Sequence, residues 1–219
     1  MITIDGPAGA GKSTVAQALA RRLQFKRVNT GALYRALAWA VREAGVPAED
    51  GPALAAVLDR TRVDLAGERV LVNGRDVTGE IRTPEVSELT SRLTTLRRVR
   101  DKMTPVQRAL AADGGVVLEG RDTGSVVWPE AEVKFYLDAD LDTRARRRQA
   151  DLRAQGVEMD LAGVKQDLAL RDRQDTERPL APLRKPEGAV LVDTSGLGLE
   201  EVVEEMLKTV ERVWCCTGR

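Results

Sequence analysis

Apolar positions along this chain switch repeatedly between two periods. Met1 to Ile4 is a short apolar run that ends in a glycine-rich turn, and Val15, Leu19 and Leu23 then recur at four-residue spacing. The run predicts a strand and the spacing predicts one face of a helix. A second cycle pairs a short stretch near Phe25 to Val28 with a helical stripe of Leu33, Leu37 and Val41, which stops near Gly45 and Pro47. From about residue 60 the period becomes two. Val63 and Leu65 alternate, Gly67 marks a turn, Val70 and Val72 alternate again, and Asn73-Gly74 is a hairpin signal, so a small antiparallel insert is expected. Helical segments follow at roughly Pro84 to Thr95 and Arg97 to Ala112. Three further apolar runs, Val116 to Leu118, Val133 to Leu137 and Ala189 to Val192, read as buried strands. The alternation predicts an α/β core with about five parallel strands. Between the last two strands lie about 45 charged, mostly helical residues with a pause at Gly156, a pair of helices too polar to be core. The terminal helix, Leu199 to Trp214, sets Val202, Met206, Val210 and Val213 on one packing face.

The 219 residues favour one main core with insertions, and 42% hydrophobic content is enough to fill it. The 34 basic and 34 acidic residues cancel, so any anion site must be local. There is no histidine, which removes imidazole bases, His-dependent triads and His-ligated zinc. Cys215 and Cys216 are adjacent, without the spacing of a metal site or a disulfide framework. No apolar run approaches the ~18 residues of a membrane span, and Asp5 and Gly6 interrupt the region where a signal peptide would be continuous. A cytoplasmic protein is expected.

Gly6, Pro7, Ala8, Gly9, Ala10, Gly11, Lys12 and Ser13 match G-x-x-x-x-G-K-[ST], directly after a predicted strand and before a predicted helix. In such a loop, backbone N–H groups wrap a phosphate, which demands glycine dihedrals and leaves no room for side chains. Lys12 then reaches the β and γ phosphates, Ser13 offers a hydroxyl to magnesium, and the helix N-terminus favours the anion. Switches, motors and kinases share this cradle. The guanine-reading Asn-Lys-x-Asp segment of a GTP switch is absent late in the chain, and its nearest imitation, Asn73 to Asp76, lies in the hairpin.

Twenty-seven of the 34 basic residues are arginine. Arg121 and Asp122 follow the strand ending at Leu118, and strand ends border the ligand crevice of a parallel sheet. Arg144, Arg147 and Arg148 share a helix face that is either solvated or anion-binding. Arg171, Asp175 and Arg178 divide between an ion-pair ladder and an anion site, and Arg35 is open in the same way. Phosphoryl transfer from ATP to an acceptor that is itself a phosphate joins these clues. Such an acceptor is already ionised and needs positive charge rather than a base.

Five segments carry a resemblance: ITIDGPAGAGKST at 2 to 14, NTGALYR at 29 to 35, GEIRTPEV at 79 to 86, EGRDTGSVVWPEA at 119 to 131 and RDRQDTERPLAPL at 171 to 183. With them the chain resembles, from end to end, the bacterial cytidylate kinases of the P-loop nucleoside monophosphate kinase superfamily. The resemblance implies a P-loop NTPase-type core of about 1–50, 96–143 and 179–219. It adds a monophosphate-binding insert at about 51–95 and a short helical lid with an adjoining helix at about 144–178. The implied reaction moves the γ-phosphoryl group of ATP, with Mg²⁺, to CMP or dCMP. Lys12, Arg121, Arg144, Arg148 and Arg178 become the catalytic cations. Gly6 to Thr14 and Arg147 bind ATP, including Ser13 and Thr14 at the helix start. Thr30, Tyr34 and Arg35 line the acceptor pocket; Ser91, Arg100 and Asp122 recognise cytosine; and Arg121, Arg171, Asp175 and Arg178 complete the CMP set. Adenine contacts are expected partly from the loop after Asp193.

Two positions depart from the family pattern. Asn29 stands where Asp is common, and Glu119 stands where Asp is usual, although Glu119 keeps a carboxylate for magnesium through water. No nucleic-acid or membrane partner is expected, and a monomer is expected. The alternatives are another small-molecule P-loop kinase, such as a uridylate, thymidylate or shikimate-type enzyme, and a regulatory module that closes on ATP without transfer. An RNA-binding protein is weak, because aromatics are only 3% of the chain and stacking platforms are scarce.

Overall fold

The computed structural model describes residues 1–154 and 156–217. Its elements run β1 (Ile2–Asp5), α1 (Lys12–Leu23), β2 (Lys26–Asn29), α2 (Thr30–Glu43), α3 (Pro52–Arg60), β3 (Val63–Ala66), β4 (Arg69–Val72) and β5 (Arg75–Asp76). They continue through α4 (Pro84–Leu93), α5 (Arg97–Ala111), β6 (Val116–Glu119), β7 (Val133–Asp138), α6 (Leu141–Ala154), α7 (Leu161–Glu177), β8 (Val190–Asp193) and α8 (Leu199–Thr217). The chain divides into two compact units. One is Met1–Arg27, Gly115–Glu177 and Ala181–Arg219, and the other is Val28–Gly114 with Arg178–Leu180. The insert expected at about 51–95 falls inside the second unit, which also takes in α2 and α5.

The five-stranded sheet has the order β2-β6-β1-β7-β8. Ile2 pairs in parallel with Val117 on one side and Val133 on the other, so β1 is central and wholly buried, as its unbroken apolar character requires. Ile2, Ile4, Phe135 and Leu137 of the strands meet Val15 and Leu19 of α1 and Val202, Met206 and Val210 of α8 in one core. The stripe read from the terminal helix is therefore its packing face, with Val213 at the margin. Each such side chain contributes about 1.5–3 kcal/mol by leaving water.

Two expectations need correction in this unit. The run at Ala189 to Val192 is not a fully buried strand: Val190 and Leu191 are 39% and 55% exposed, because β8 ends the sheet and, among the described residues, has its ladder partner in β7 alone. The charged helices α6 and α7 are not wholly without a core either. Ala145, Leu152, Val164 and Leu168 form a small apolar seam that also takes in Ala8 of the phosphate loop.

In the second unit β3, β4 and β5 form an antiparallel sheet. Val72 pairs with Arg75 across Asn73 and Gly74, whose φ values of 51° and 84° are the two left-handed positions of a two-residue hairpin loop. Side-chain caps start two helices: Ala32 N donates to Asn29 Oδ1 at 2.8 Å ahead of α2, and Val86 N donates to Thr83 Oγ1 at 3.3 Å ahead of α4. Asn29 thus performs by its amide oxygen the capping that a carboxylate would perform. Helix α3 had not been predicted, although Pro52 at its first turn and buried Leu54, Val57 and Leu58 carry the pattern.

Among the described residues no helix is long and apolar enough to cross a membrane. Cys215 is exposed and free, and the side chain of Cys216 lies outside the described residues.

Candidate active site

The phosphate loop leaves β1 and enters α1 with Gly6, Gly9 and Gly11 at φ values of 148°, 77° and 85°. Glycine is required sterically as well as conformationally. A Cβ on Gly6 would stand 1.9 Å from the Leu137 carbonyl oxygen, and one on Gly9 would stand 3.0 Å from Arg144 Cβ. Lys12, only 7% exposed, opens α1 and donates through Nζ to the Pro7 carbonyl. Burial pushes its ammonium pKa well below the usual lysine value; Arg121 and Arg171 push the same way, and Glu119 and Asp175 oppose them.

Ser13 Oγ donates to Glu119 Oε2 at 2.7 Å, and Arg27 stands 3.5 Å from Glu119 Oε1 while donating to the Ser13 carbonyl at 3.2 Å. A hydroxyl in the first turn of α1 and a buried carboxylate at the end of β6 are hard oxygen donors that suit magnesium. Among the described residues no group of three or more acidic or cysteine side chains could cage a metal.

Two of the three arginines read as one face of α6, Arg144 and Arg147, are bonded to the protein rather than solvated. Arg144, 8% exposed, folds behind the phosphate loop, with Nε donating to the Ala139 carbonyl at 2.9 Å and Nη1 to the Ala8 carbonyl at 3.1 Å. It also pairs with Asp172 of α7, whose Oδ1 accepts from Ala8 N at 3.4 Å. Arg147 donates to Thr194 Oγ1 at 2.8 Å and to the Thr194 carbonyl at 2.6 Å. The Thr194 hydroxyl lies 3.2 Å from the carbonyl oxygens of Ala10 and Asp138. Arg27, Asp172 and Thr194 were missed by sequence reasoning. Asp172 had a signal there, since it lies inside the arginine-rich segment at 171 to 183, and so did Thr194, the first residue of the loop after Asp193; Arg27 had none.

After β6 the chain turns sharply. Gly120 N donates to the Ile4 carbonyl at 2.9 Å, and Thr123–Val127 form a single π-helical turn. Arg121 Nε donates to Asp175 Oδ2 at 2.9 Å, which unites two of the predicted residues. Asp122 is buried beside it in the chain. Arg171 lies in the same charged neighbourhood: burial, followed by repulsion from Arg121, lowers its pKa to about 10, with Asp175 opposing. Lys12 and Arg171 are both depressed, and both are repelled by Arg121. An excess of positive charge that burial and neighbours render costly is one that a bound anion relieves.

In the second unit, Thr30 and Tyr34 are buried one turn apart on α2. The Arg100 guanidinium lies over the Tyr34 ring, 5.9 Å from its centre, and its Nε donates to the Thr94 carbonyl at 2.8 Å. Ser91 donates to the Ser87 carbonyl within its own helix, Arg178 is buried, and a Cβ on Gly31 would stand 3.3 Å from Arg35 Nη1.

Comparison with known proteins adds the remaining observation. The model of the cytidylate kinase family matches residues 2–212. The chain belongs to the cytidylate kinase family. Among curated members of that family, the cytidylate kinase of Symbiobacterium thermophilum is 48% identical over 217 residues, covering 97% of this chain and 96% of the relative. That of Carboxydothermus hydrogenoformans is 47% identical over 215 residues, covering 96% and 97%. Two solved structures share the fold. A protein of Eubacterium ventriosum has a TM-score of 0.54 at 12% identity, over 96% of this chain and 97% of that one. A Thermus thermophilus protein has a TM-score of 0.50 at 21% identity, over 96% and 95%.

Proposed function

We propose that this chain transfers the γ-phosphoryl group of ATP to CMP or dCMP, giving ADP and CDP or dCDP. The observation that carries the reading is the cation group of Lys12, Arg121 and Arg171, with lowered Lys12 and Arg171, beside a phosphate loop in a chain of this family. Two like unit charges ~4 Å apart repel by about 4 kcal/mol at an effective dielectric of ~20, and donor and acceptor phosphates each bring more than one. Positive charge is therefore the chief demand of the reaction. Proton abstraction is not, since a phosphate acceptor is ionised near neutral pH and the chain holds no histidine.

In this reading the backbone of Gly6 to Thr14 wraps the donor phosphates and Lys12 meets the oxygens between β and γ. Ser13, with Glu119 through water, would hold the Mg²⁺ that enters with ATP, and that ion would supply charge neutralisation for the donor phosphates. Arg121 and Arg171 meet the acceptor phosphate and sugar region, with Asp175 setting Arg121 by its hydrogen bond. Asp122 accepts from the exocyclic amine of cytosine, a donor that uracil lacks. Arg147 fixes Thr194 and Arg148 meets donor phosphates. Arg144 supports the loop from behind, and it reaches a phosphate only by releasing Ala8 and Asp172. Thr30, Tyr34, Arg35, Ser91, Arg100 and Arg178 keep the CMP assignments that the family resemblance gives them. A cytoplasmic monomer belongs to the same proposal.

The test is an acceptor screen of CMP, dCMP, UMP, AMP and shikimate with ATP and Mg²⁺. CMP and dCMP are expected to give ADP and the corresponding diphosphates fastest. Faster turnover of another acceptor redirects the reading to a sister kinase, and ATP binding without transfer to any acceptor redirects it to a regulatory module.

A further inference from the structure

Asp5 closes β1 one residue before the phosphate loop and is completely buried. Among the described residues its carboxylate makes no hydrogen bond to that loop. Instead Oδ1 accepts from Thr123 N and from Thr123 Oγ1, each at 2.8 Å, and Oδ2 accepts from Gly124 N at 2.8 Å. With Gly120 N on the Ile4 carbonyl at 2.9 Å, the segment is fastened to the end of β1 on both sides of Arg121 and Asp122. The close approach depends on glycine, because a Cβ on Gly124 would stand 2.7 Å from Thr3 Oγ1 and 3.4 Å from Asp5 Oδ2. The π-helical turn begins at the clamp: Val126 N and Val127 N both reach the Asp122 carbonyl, at 2.9 and 3.2 Å.

The chemistry of the clamp is specific to a carboxylate. Burial pushes the Asp5 carboxyl pKa up and the three donors that converge on its two oxygens push it down, because the ionised carboxylate is the form that accepts at both oxygens. An amide in its place offers one accepting oxygen and turns an N–H₂ group toward a backbone N–H, which leaves a buried donor without an acceptor. A buried anion next to an anion cradle also opposes phosphate binding electrostatically, so the donor site gains nothing from its charge.

We propose that Asp5 is a positioning residue for acceptor recognition: it holds the segment bearing Arg121 and Asp122, and thereby sets the preference for CMP over UMP. This rests on the assignment of Asp122 to cytosine made above. Small displacements of a recognising group are costly, so the expected effects are large while donor binding is spared.

The test compares Asp5→Asn, Thr123→Val, Thr123→Ser and Asp122→Ala by kcat/KM for CMP and UMP, KM for ATP, and hydrogen exchange of the backbone amides. Asp5→Asn is expected to lower the CMP-to-UMP ratio of kcat/KM by about 10- to 100-fold with KM for ATP within about twofold. Exchange is expected to rise at Thr123 and Gly124 and through 120–128, but not at 6–14. Thr123→Val loses one of the three bonds and should move the same way by less, whereas Thr123→Ser keeps the hydroxyl and should match the parent. Should Asp5→Asn fail to fold, the contrast between the two Thr123 variants carries the test.

A parallel rise of KM for ATP and CMP, with faster exchange at 6–14, overturns the proposal and makes Asp5 a support of the phosphate loop. An unchanged ratio in Asp5→Asn, when Asp122→Ala lowers it, overturns it as well. If Asp122→Ala itself leaves the ratio unchanged, the cytosine assignment fails on its own account. Exchange at Thr123 and Gly124 then decides separately whether Asp5 holds the segment.

Discussion

Gly6 in the phosphate loop and Gly74 in the β4–β5 hairpin both have positive φ, 148° and 84°, yet the surrounding space differs completely. A methyl group at Gly6 would run into the Leu137 carbonyl, whereas at Gly74 it would meet nothing within 4 Å. The hairpin needs glycine only for its own dihedral, and the cost of another residue is local and graded. The phosphate loop needs it because β7 presses a carbonyl against the chain, so loop shape and sheet position are set together. A region built for ligand chemistry thus has packing constraints that a turn of similar composition lacks.

The contrast is most sharply tested at Lys12. Lys12→Ala should reduce kcat by about 10³-fold, the scale of a lost transition-state donor, with the fold retained in circular dichroism and thermal melting. Near-parental turnover would break the assignment of the cradle. Gly6→Ala should come next, destabilising by about 3 kcal/mol through forced repacking against Leu137, as read by urea denaturation. A cost under ~1 kcal/mol would mean that β7 yields easily.

The phosphate loop should also respond to pH where the hairpin does not. Free Lys12 is lowered well below the usual lysine value by burial and neighbouring arginines, and a bound triphosphate favours its charged form. ATP binding should therefore take up protons at pH values around and above the lowered pKa, and affinity should fall as pH rises through it. Calorimetry in buffers of different ionisation enthalpy reads the uptake, which Lys12→Ala should abolish. Stability has the opposite sign: charged Lys12 costs stability below its folded pKa, and the cost fades as pH rises toward the unfolded value. The smallest effect is expected at Gly74→Ala, about 1 kcal/mol from the left-handed dihedral alone, with CMP kinetics unchanged.

The phosphate loop was legible in the sequence because its requirements are local: glycines, Lys12 and Ser13 within eight positions, between a strand and a helix. The Arg144, Arg147 and Arg148 spacing was equally visible, but helix periodicity does not say what lies opposite. Arg144 is determined by the Ala8 carbonyl, 136 positions away in the chain, and by Asp172. The apolar run at 189 to 192 resembled that at 116 to 118, and only sheet order separates an edge strand from an interior one. In the sequence Asp5 only interrupts an apolar stretch ahead of the phosphate loop. Its three donors lie 118 and 119 positions downstream, and no window on the sequence joins them.

That separation has a consequence for synthesis on the ribosome. The strand ending in Asp5 emerges more than a hundred residues ahead of both its ladder neighbours, β6 and β7, which begin after residue 115. At about 5–20 residues per second, the nascent chain waits roughly 6 to 24 seconds before the donors on Thr123 appear. During that interval β1 has neither sheet nor clamp, and only translation past Gly124 lets the nucleotide cradle take its final shape.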